Sequence, residues 1–128
     1  MRVLLDTHAF LWWVLEDPRL SPRALSVVAA PEYDVLVSAV VAWEIAIKSA
    51  DARLDLPEPA GTYVPDRIAA NGFRELAVTV EHAVRVAGLP AIHRDPFDRL
   101  LVAQAQVEGI PILTSDPAIA QFDVDVIW

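Results

Sequence analysis

Hydrophobic and polar positions alternate in blocks along this chain, and the blocks change character in a regular way. Arg2-Val3-Leu4-Leu5 is a short apolar run that stops at Asp6. Apolar side chains at both parities predict a strand buried on both faces. His8 to Glu16 then carries a helical pattern, with Asp6 or Thr7 as cap and Asp17-Pro18 as stop. Ser21-Pro22 opens a second helix to about Ala30, with Ser as N-cap and Pro in the first turn. Asp34 to Ser38 reads as a second buried strand, and Ser38 caps a helix reaching about Ala52.

Pro57, Pro59, Gly61 and Pro65 make Leu54 to Pro65 the clearest predicted loop. A short helix around Asp66 to Ala70 follows, then a strand over Phe73 to Val78 and a helix over Val80 to Ala87. Asp95-Pro96 opens a strong helix to about Val107, stopped by Gly109. Ile110 to Leu113 is a further buried strand, and a helix over Pro117 to Gln121 leads to a last strand, Val124 to Trp128. Short aliphatic strands alternating with helices predict an α/β fold: one three-layer domain over residues 1–128, its mostly parallel central sheet flanked by helices.

Composition narrows the chemistry. The 128 residues are 55% hydrophobic, enough for one packed core. No cysteine is present, which excludes thiol nucleophiles, disulfides and Cys-held zinc or iron–sulfur centres. Four dispersed glycines leave no phosphate-cradling loop and no nucleophile elbow. The ten Lys and Arg against 18 Asp and Glu give a net charge of −8, which disfavours wrapping nucleic acid by broad positive charge. No segment has the length of a membrane span or the pattern of a signal peptide, so a cytoplasmic protein without membrane partners is expected.

In an open parallel sheet, ligands bind beyond the carboxyl ends of the strands. The predicted elements bring four acids to that edge: Asp6, Glu44, Asp98 and Asp116. Each has a plainer reading. Asp6 can cap a helix, Glu44 can pair with Lys48 one turn on, Asp98 can close a helix start, and Asp116 can begin a turn with Pro117. Glu44 and Asp98, however, share helix faces with Val40, Val41, Ile47, Leu101 and Val102, where a lone carboxylate is costly. Clustered carboxylates need a compensating cation. Hard oxygen donors without Cys or paired His point to Mg²⁺ or Mn²⁺, and such a centre suits water attack on a phosphodiester.

Several neighbours are weighed with them. Thr7, Thr114 and Ser115 can hydrogen-bond the carboxylates, while Asp95 suits an N-cap better than a ligand. Arg94 and Arg99 are candidates for holding an RNA phosphate, with ordinary surface charge as the alternative. His8 is a candidate for substrate contact or helix packing; His82 is expected on a helix surface and His93 in a loop. The first helix carries more apolar surface than one stripe needs, so Trp12 or Trp13 is expected to meet a second subunit or another partner.

The Val3-Leu4-Leu5-Asp6-Thr7-His8 start, Glu44, the His93 to Ala105 run with Asp95-Pro96-Phe97-Asp98-Arg99, and Leu113-Thr114-Ser115-Asp116 together resemble a PIN domain. More narrowly, they resemble the VapC-type ribonuclease toxins of type II toxin–antitoxin pairs. The resemblance implies an endoribonuclease using Mg²⁺ (or Mn²⁺) held by the quartet Asp6, Glu44, Asp98 and Asp116, with Asp6 and Asp98 closest to the metal. It implies supporting roles for Thr114 and its neighbours. It further implies an RNA substrate, a cognate antitoxin protein and a homodimer. The alternatives are a PIN nuclease of RNA processing without an antitoxin, and a non-catalytic binding module. His8 stands where many PIN domains carry Asn.

Overall fold

The computed structural model describes residues 1–128. Five strands form one sheet: β1 (Arg2–Leu5), β2 (Asp34–Ser38), β3 (Arg74–Leu76), β4 (Ile112–Leu113) and β5 (Val126–Ile127). Their order is β3-β2-β1-β4-β5, and every neighbouring pair is parallel. The expected mostly parallel sheet is parallel throughout. Leu4 sits opposite Leu36 of β2 on one side and Ile112 of β4 on the other. Val3, Leu4 and Leu5 are fully buried although their side chains alternate in direction, so both faces of β1 are covered.

Seven helices connect and flank the strands: α1 (Thr7–Val14), α2 (Pro22–Ala29), α3 (Ala39–Ala50), α4 (Ala60–Ala70), α5 (Val80–Arg85), α6 (Pro96–Glu108) and α7 (Pro117–Ala120). Caps read from the sequence are made. Ser21 accepts from the Ala24 N–H, Ser38 from Val40, and Asp95 from both Phe97 and Asp98. Gly109 ends α6 at φ +66°, the left-handed conformation that a C-terminal cap requires. A cluster of 29 buried hydrophobic residues joins the sheet to its helices.

Two differences have clear causes. The expected loop over Leu54 to Pro65 is half helix, because α4 begins at Ala60 and contains Pro65. Proline inside a helix costs roughly 3 kcal/mol, since it lacks the N–H that would reach back four residues. Here that acceptor is the carbonyl of Gly61, an exposed residue that water can serve. Tyr63, Val64 and Ile68 lie on one side of α4 and are all buried, and their burial outweighs the loss. The last two strands are shorter than expected. Pro111 cannot donate to the ladder, although its carbonyl still accepts from the Leu4 N–H at 3.0 Å.

His82 corrects the expectation of a helix-surface residue: its ring is buried. Nδ1 accepts from the Thr79 N–H at 3.0 Å, completing a capping box at the start of α5, and Nε2 lies 2.9 Å from Glu108. Trp12 and Trp13 find partners within the chain. Trp12 meets His8, Arg19 and Trp128, while Trp13 packs on Phe73 and donates to Asn71 Oδ1 at 2.9 Å. Leu15 is the apolar side chain of this region that stays open, at 62% exposure.

Candidate active site

The strand order reverses at β1, from which the chain leaves toward β2 and returns to β4 on the opposite side. Such a switch point opens a crevice beyond the carboxyl ends of its strands. Asp6 follows β1 directly, Asp116 follows β4 by three residues, Glu44 lies in the second turn of α3 after β2, and Asp98 lies in the first turn of α6.

Asp6 is 5% exposed and divides its two oxygens between two tasks. Oδ1 accepts from the Ala9 N–H at 2.7 Å and caps α1, while Oδ2 accepts from the Thr114 hydroxyl. Cap and site residue are therefore compatible roles for one carboxylate. Burial pushes its pKa up from 3.8, the Thr114 hydroxyl and Ala9 N–H pull it down, and Asp116 adds to the rise. Thr114 also accepts from the Asp116 N–H at 3.0 Å, so one hydroxyl links the two acids. Asp116 in turn caps α7 through the Ala118 N–H at 2.9 Å.

Glu44 is 6% exposed. Its Oε1 accepts from the Thr7 hydroxyl at 2.5 Å, and its Oε2 forms an ion pair with Lys48 one turn along α3. The pairing weighed as a plain alternative is present, but it is part-buried and lies inside the site, not on a solvated face. Asp98 has its pKa pushed up to about 6, first by burial and further by Asp95, Glu44 and Asp116. All four acids are thus electrostatically joined: Asp6 to Asp116, and Asp98 to both Asp116 and Glu44.

His93, expected as an uninvolved loop residue, is the site member that sequence reasoning missed. Its Nε2 lies 2.8 Å from Asp98 Oδ2, opposing the rise in that carboxyl's pKa. Ligand atoms of His93, Asp98 and Asp116 lie within 4.8 Å of one another. The one signal available was its separation of five residues from Asp98 across the Asp95-Pro96 helix start. The tightest grouping therefore pairs Asp98 with Asp116 and His93, while Asp6 joins through Thr114 and Glu44 stands on the α3 side.

Asp95 caps α6 through both of its accepted N–H bonds. Arg99 has a different task from the one expected of it. Its Nη1 donates to the carbonyls of Pro90 and His93 and its Nη2 to those of Val86 and Leu89, tying down the segment that carries His93. Arg94 is exposed and makes no ion pair. A larger apolar groove of about 590 Å³, between α3, α4 and the β2–β3 edge, contains none of the four acids.

The donor set suits a hard divalent cation: carboxylate oxygens gathered at one rim, two of them with raised pKa values and one imidazole alongside. A parallel α/β sheet with such an acidic crevice at its switch point defines a class of carboxylate-centred proteins. The model of the PIN domain matches residues 3–125, and the chain belongs to that family, within it to the VapC ribonucleases. Ribonuclease VapC22 of Mycobacterium tuberculosis is 33% identical over 116 residues, spanning 89% of this chain and 86% of that protein. Ribonuclease VapC16 of the same organism is 40% identical over 80 residues, spanning 58% of this chain and 57% of that protein. Among solved structures, VapBC2 from Rickettsia felis, bound to a DNA fragment from its promoter, superposes with a TM-score of 0.74 at 12% identity, covering 99% of this chain and 98% of that one. VapBC-1 from nontypeable Haemophilus influenzae gives 0.65 at 14% identity, covering 99% and 97%. At these identities the structural likeness concerns the fold.

Proposed function

We propose that this protein is a Mg²⁺- or Mn²⁺-dependent endoribonuclease, the toxin of a type II toxin–antitoxin pair. The observation that carries the reading is the convergence of Asp6, Glu44, Asp98 and Asp116 at one switch point in a chain of the VapC family. Asp98, Asp116 and Asp6 would hold the cation, with Glu44 joining from α3. When bound, the cation supplies Lewis acidity toward a phosphodiester and its attacking water.

The chain's own groups prepare that centre. The Thr114 hydroxyl orients the Asp6 carboxylate and accepts from the Asp116 backbone N–H, and Thr7 orients Glu44. Lys48 offsets part of the Glu44 charge, so the rim is less repulsive to a polyanion than four bare carboxylates would be. His93 holds a proton between its Nε2 and Asp98 Oδ2, which fixes the rotamer of that carboxylate. Arg99 anchors the His93 segment from behind.

Exposed Arg94, beside the site and free of ion pairs, is suited to steering an RNA phosphate. The partners proposed are an RNA substrate, a cognate antitoxin and a second copy of the chain. No helix is long and apolar enough to cross a membrane. The deciding experiment is cleavage of RNA by the purified chain in Mg²⁺, in Mn²⁺ and in chelator. Cleavage in either ion, abolished by chelator and by the co-expressed antitoxin, is expected. RNA left intact under all conditions would overturn the reading.

A further inference from the structure

Beside Glu44, between α1 and the C-terminal half of α3, runs a cleft of about 460 Å³ whose wall includes Thr7, His8, Trp12, Arg19, Lys48 and Arg53. It is continuous with the acidic site, because Thr7 and Lys48 are the two partners of the Glu44 carboxylate. Its lining cations are held by acids that lie outside the wall: Lys48 by Glu44, Arg19 by Asp17 and Arg53 by Asp51. Three of the ten Lys and Arg residues line it and none of the 18 Asp and Glu, in a protein of net charge −8.

The two arginines are set by the same local device used twice. Past the end of α1, Asp17 Oδ1 accepts from the Arg19 backbone N–H at 2.9 Å and from its Nε at 3.1 Å. Past the end of α3, Asp51 Oδ1 accepts from the Arg53 backbone N–H at 3.3 Å and from its Nε at 2.9 Å. Each Asp-x-Arg turn holds one edge of its guanidinium through Nε and Nη2 and leaves Nη1 without a protein partner. Neither Asp lines the cleft. An aromatic surface completes the wall: exposed His8 stacks on Trp12 with ring centroids 5.4 Å apart and planes 21° apart, and the Arg19 guanidinium carbon lies 4.8 Å from the Trp12 centroid.

Pre-oriented cationic donors beside a planar stack match the two halves of a nucleotide, the phosphate and the base. We propose that this cleft is a substrate subsite seating the nucleotide next to the scissile bond, its base against the His8–Trp12 stack and its phosphate on Arg19 and Arg53. The inference rests on the ribonuclease reading above and extends it to how the RNA strand is held. An acidic polypeptide would use the cations but leave the exposed imidazole face without a partner, so RNA is the better-matched occupant.

Two measurements on the full chain test it: the affinity for a labelled single-stranded oligoribonucleotide across a salt series, and steady-state cleavage of the same RNA in Mn²⁺. The variants are Arg19→Gln with Arg53→Gln, His8→Ala, and Arg85→Gln as control, each checked for an unchanged melting profile. Arg85 bonds to Gln106 at the far end of α6 from Asp98. The double variant is expected to bind more weakly, with the slope of log affinity on log salt smaller by about 0.7 for each phosphate no longer neutralised. Its KM should rise in parallel while kcat stays within about twofold, as uniform binding energy is removed. His8→Ala should raise KM and leave the salt slope unchanged, and Arg85→Gln should match the parent. A double variant with the parent's affinity and slope overturns the subsite and leaves the cleft to an acidic polypeptide. Failure of the parent to cleave, with RNA binding that still depends on Arg19 and Arg53, would remove the ribonuclease reading and with it the substrate role, leaving the cleft an RNA-binding surface; absence of both removes both.

Discussion

Carboxylates in this chain do two things at once. Asp6 and Asp116 each spend one oxygen on a helix N-cap and still join the acidic rim, and Asp95 is a cap beside the rim. This separation of duties predicts different mutant behaviour. Asp6→Asn should keep the fold, since Asn also caps helices well, and Asp98→Asn should keep it because α6 is capped by Asp95. Each should lower metal-dependent RNA cleavage by about 100-fold or more, the scale on which one group aimed at developing charge acts. Full turnover by either purified variant would contradict the site. Asp95→Ala should instead lose about 1 kcal/mol of stability through its cap and retain measurable activity. Thermal melts and cleavage rates on the same preparations separate the two outcomes.

Helix ends were legible where a single side chain decides them. Ser21, Ser38, Asp95 and Gly109 act at the positions their residue types suggest, because capping is an interaction across two or three residues. Gly109→Ala should therefore destabilise the chain by about 1–2 kcal/mol, the cost of a Cβ in the left-handed region, with no steric obstacle to add to it. A melting point unchanged by that substitution would refute the C-cap argument. Helix α4 was not legible, because its proline-rich start signals a loop and its burial of Tyr63, Val64 and Ile68 is decided by what packs against them. His82 was misplaced for the same reason: its cap partner Thr79 is local, but Glu108 at the end of α6 is what takes its other nitrogen into the interior.

Gathering like charges at one rim has consequences for the whole chain. Asp98 is raised from 3.8 to about 6, so the folded protein binds more protons there than the unfolded one between those values. Stability contributed by that group is fully present below about pH 4 and lost as pH rises through about 6. Metal-free melting points are accordingly expected to decline across that window, and saturating Mn²⁺ should reduce the decline by giving the carboxylates a counter-charge. A metal-free profile that instead rises steadily from pH 4 to 7 would show that other groups dominate. Asp116→Asn removes one charge and keeps the α7 cap. It should melt higher than the parent in chelator, and gain less from added Mg²⁺ or Mn²⁺, since binding to the folded state stabilises by RT ln(1 + [L]/Kd). Melts at fixed ionic strength distinguish this from screening. A parent unaffected by both ions would argue against a metal centre at this rim.

Most strands and helices, most caps and the parallel α/β class were readable from order and spacing alone, as was the placing of four acids at strand ends. They depend on period, on short-range hydrogen bonds and on the rule that sites form at strand ends, all of which act along the chain or follow from topology. Thr7 and Thr114 were candidates as neighbours of the acids and Lys48 as a partner of Glu44, but which acid each threonine meets, and the part of His93, were not readable. Thr114 reaches Asp6 across 108 residues and Thr7 reaches Glu44 across 37, while His93 meets Asp98 only because the segment before α6 folds back under the hold of Arg99. The cleft beside Glu44 is likewise assembled from positions between Thr7 and Leu54 on separate elements. Pattern along a chain reports which residues must be buried or capped; which polar atoms meet is decided by how the elements pack, because hydrogen bonds and charge pairs act over a few ångströms in space whatever their distance in sequence.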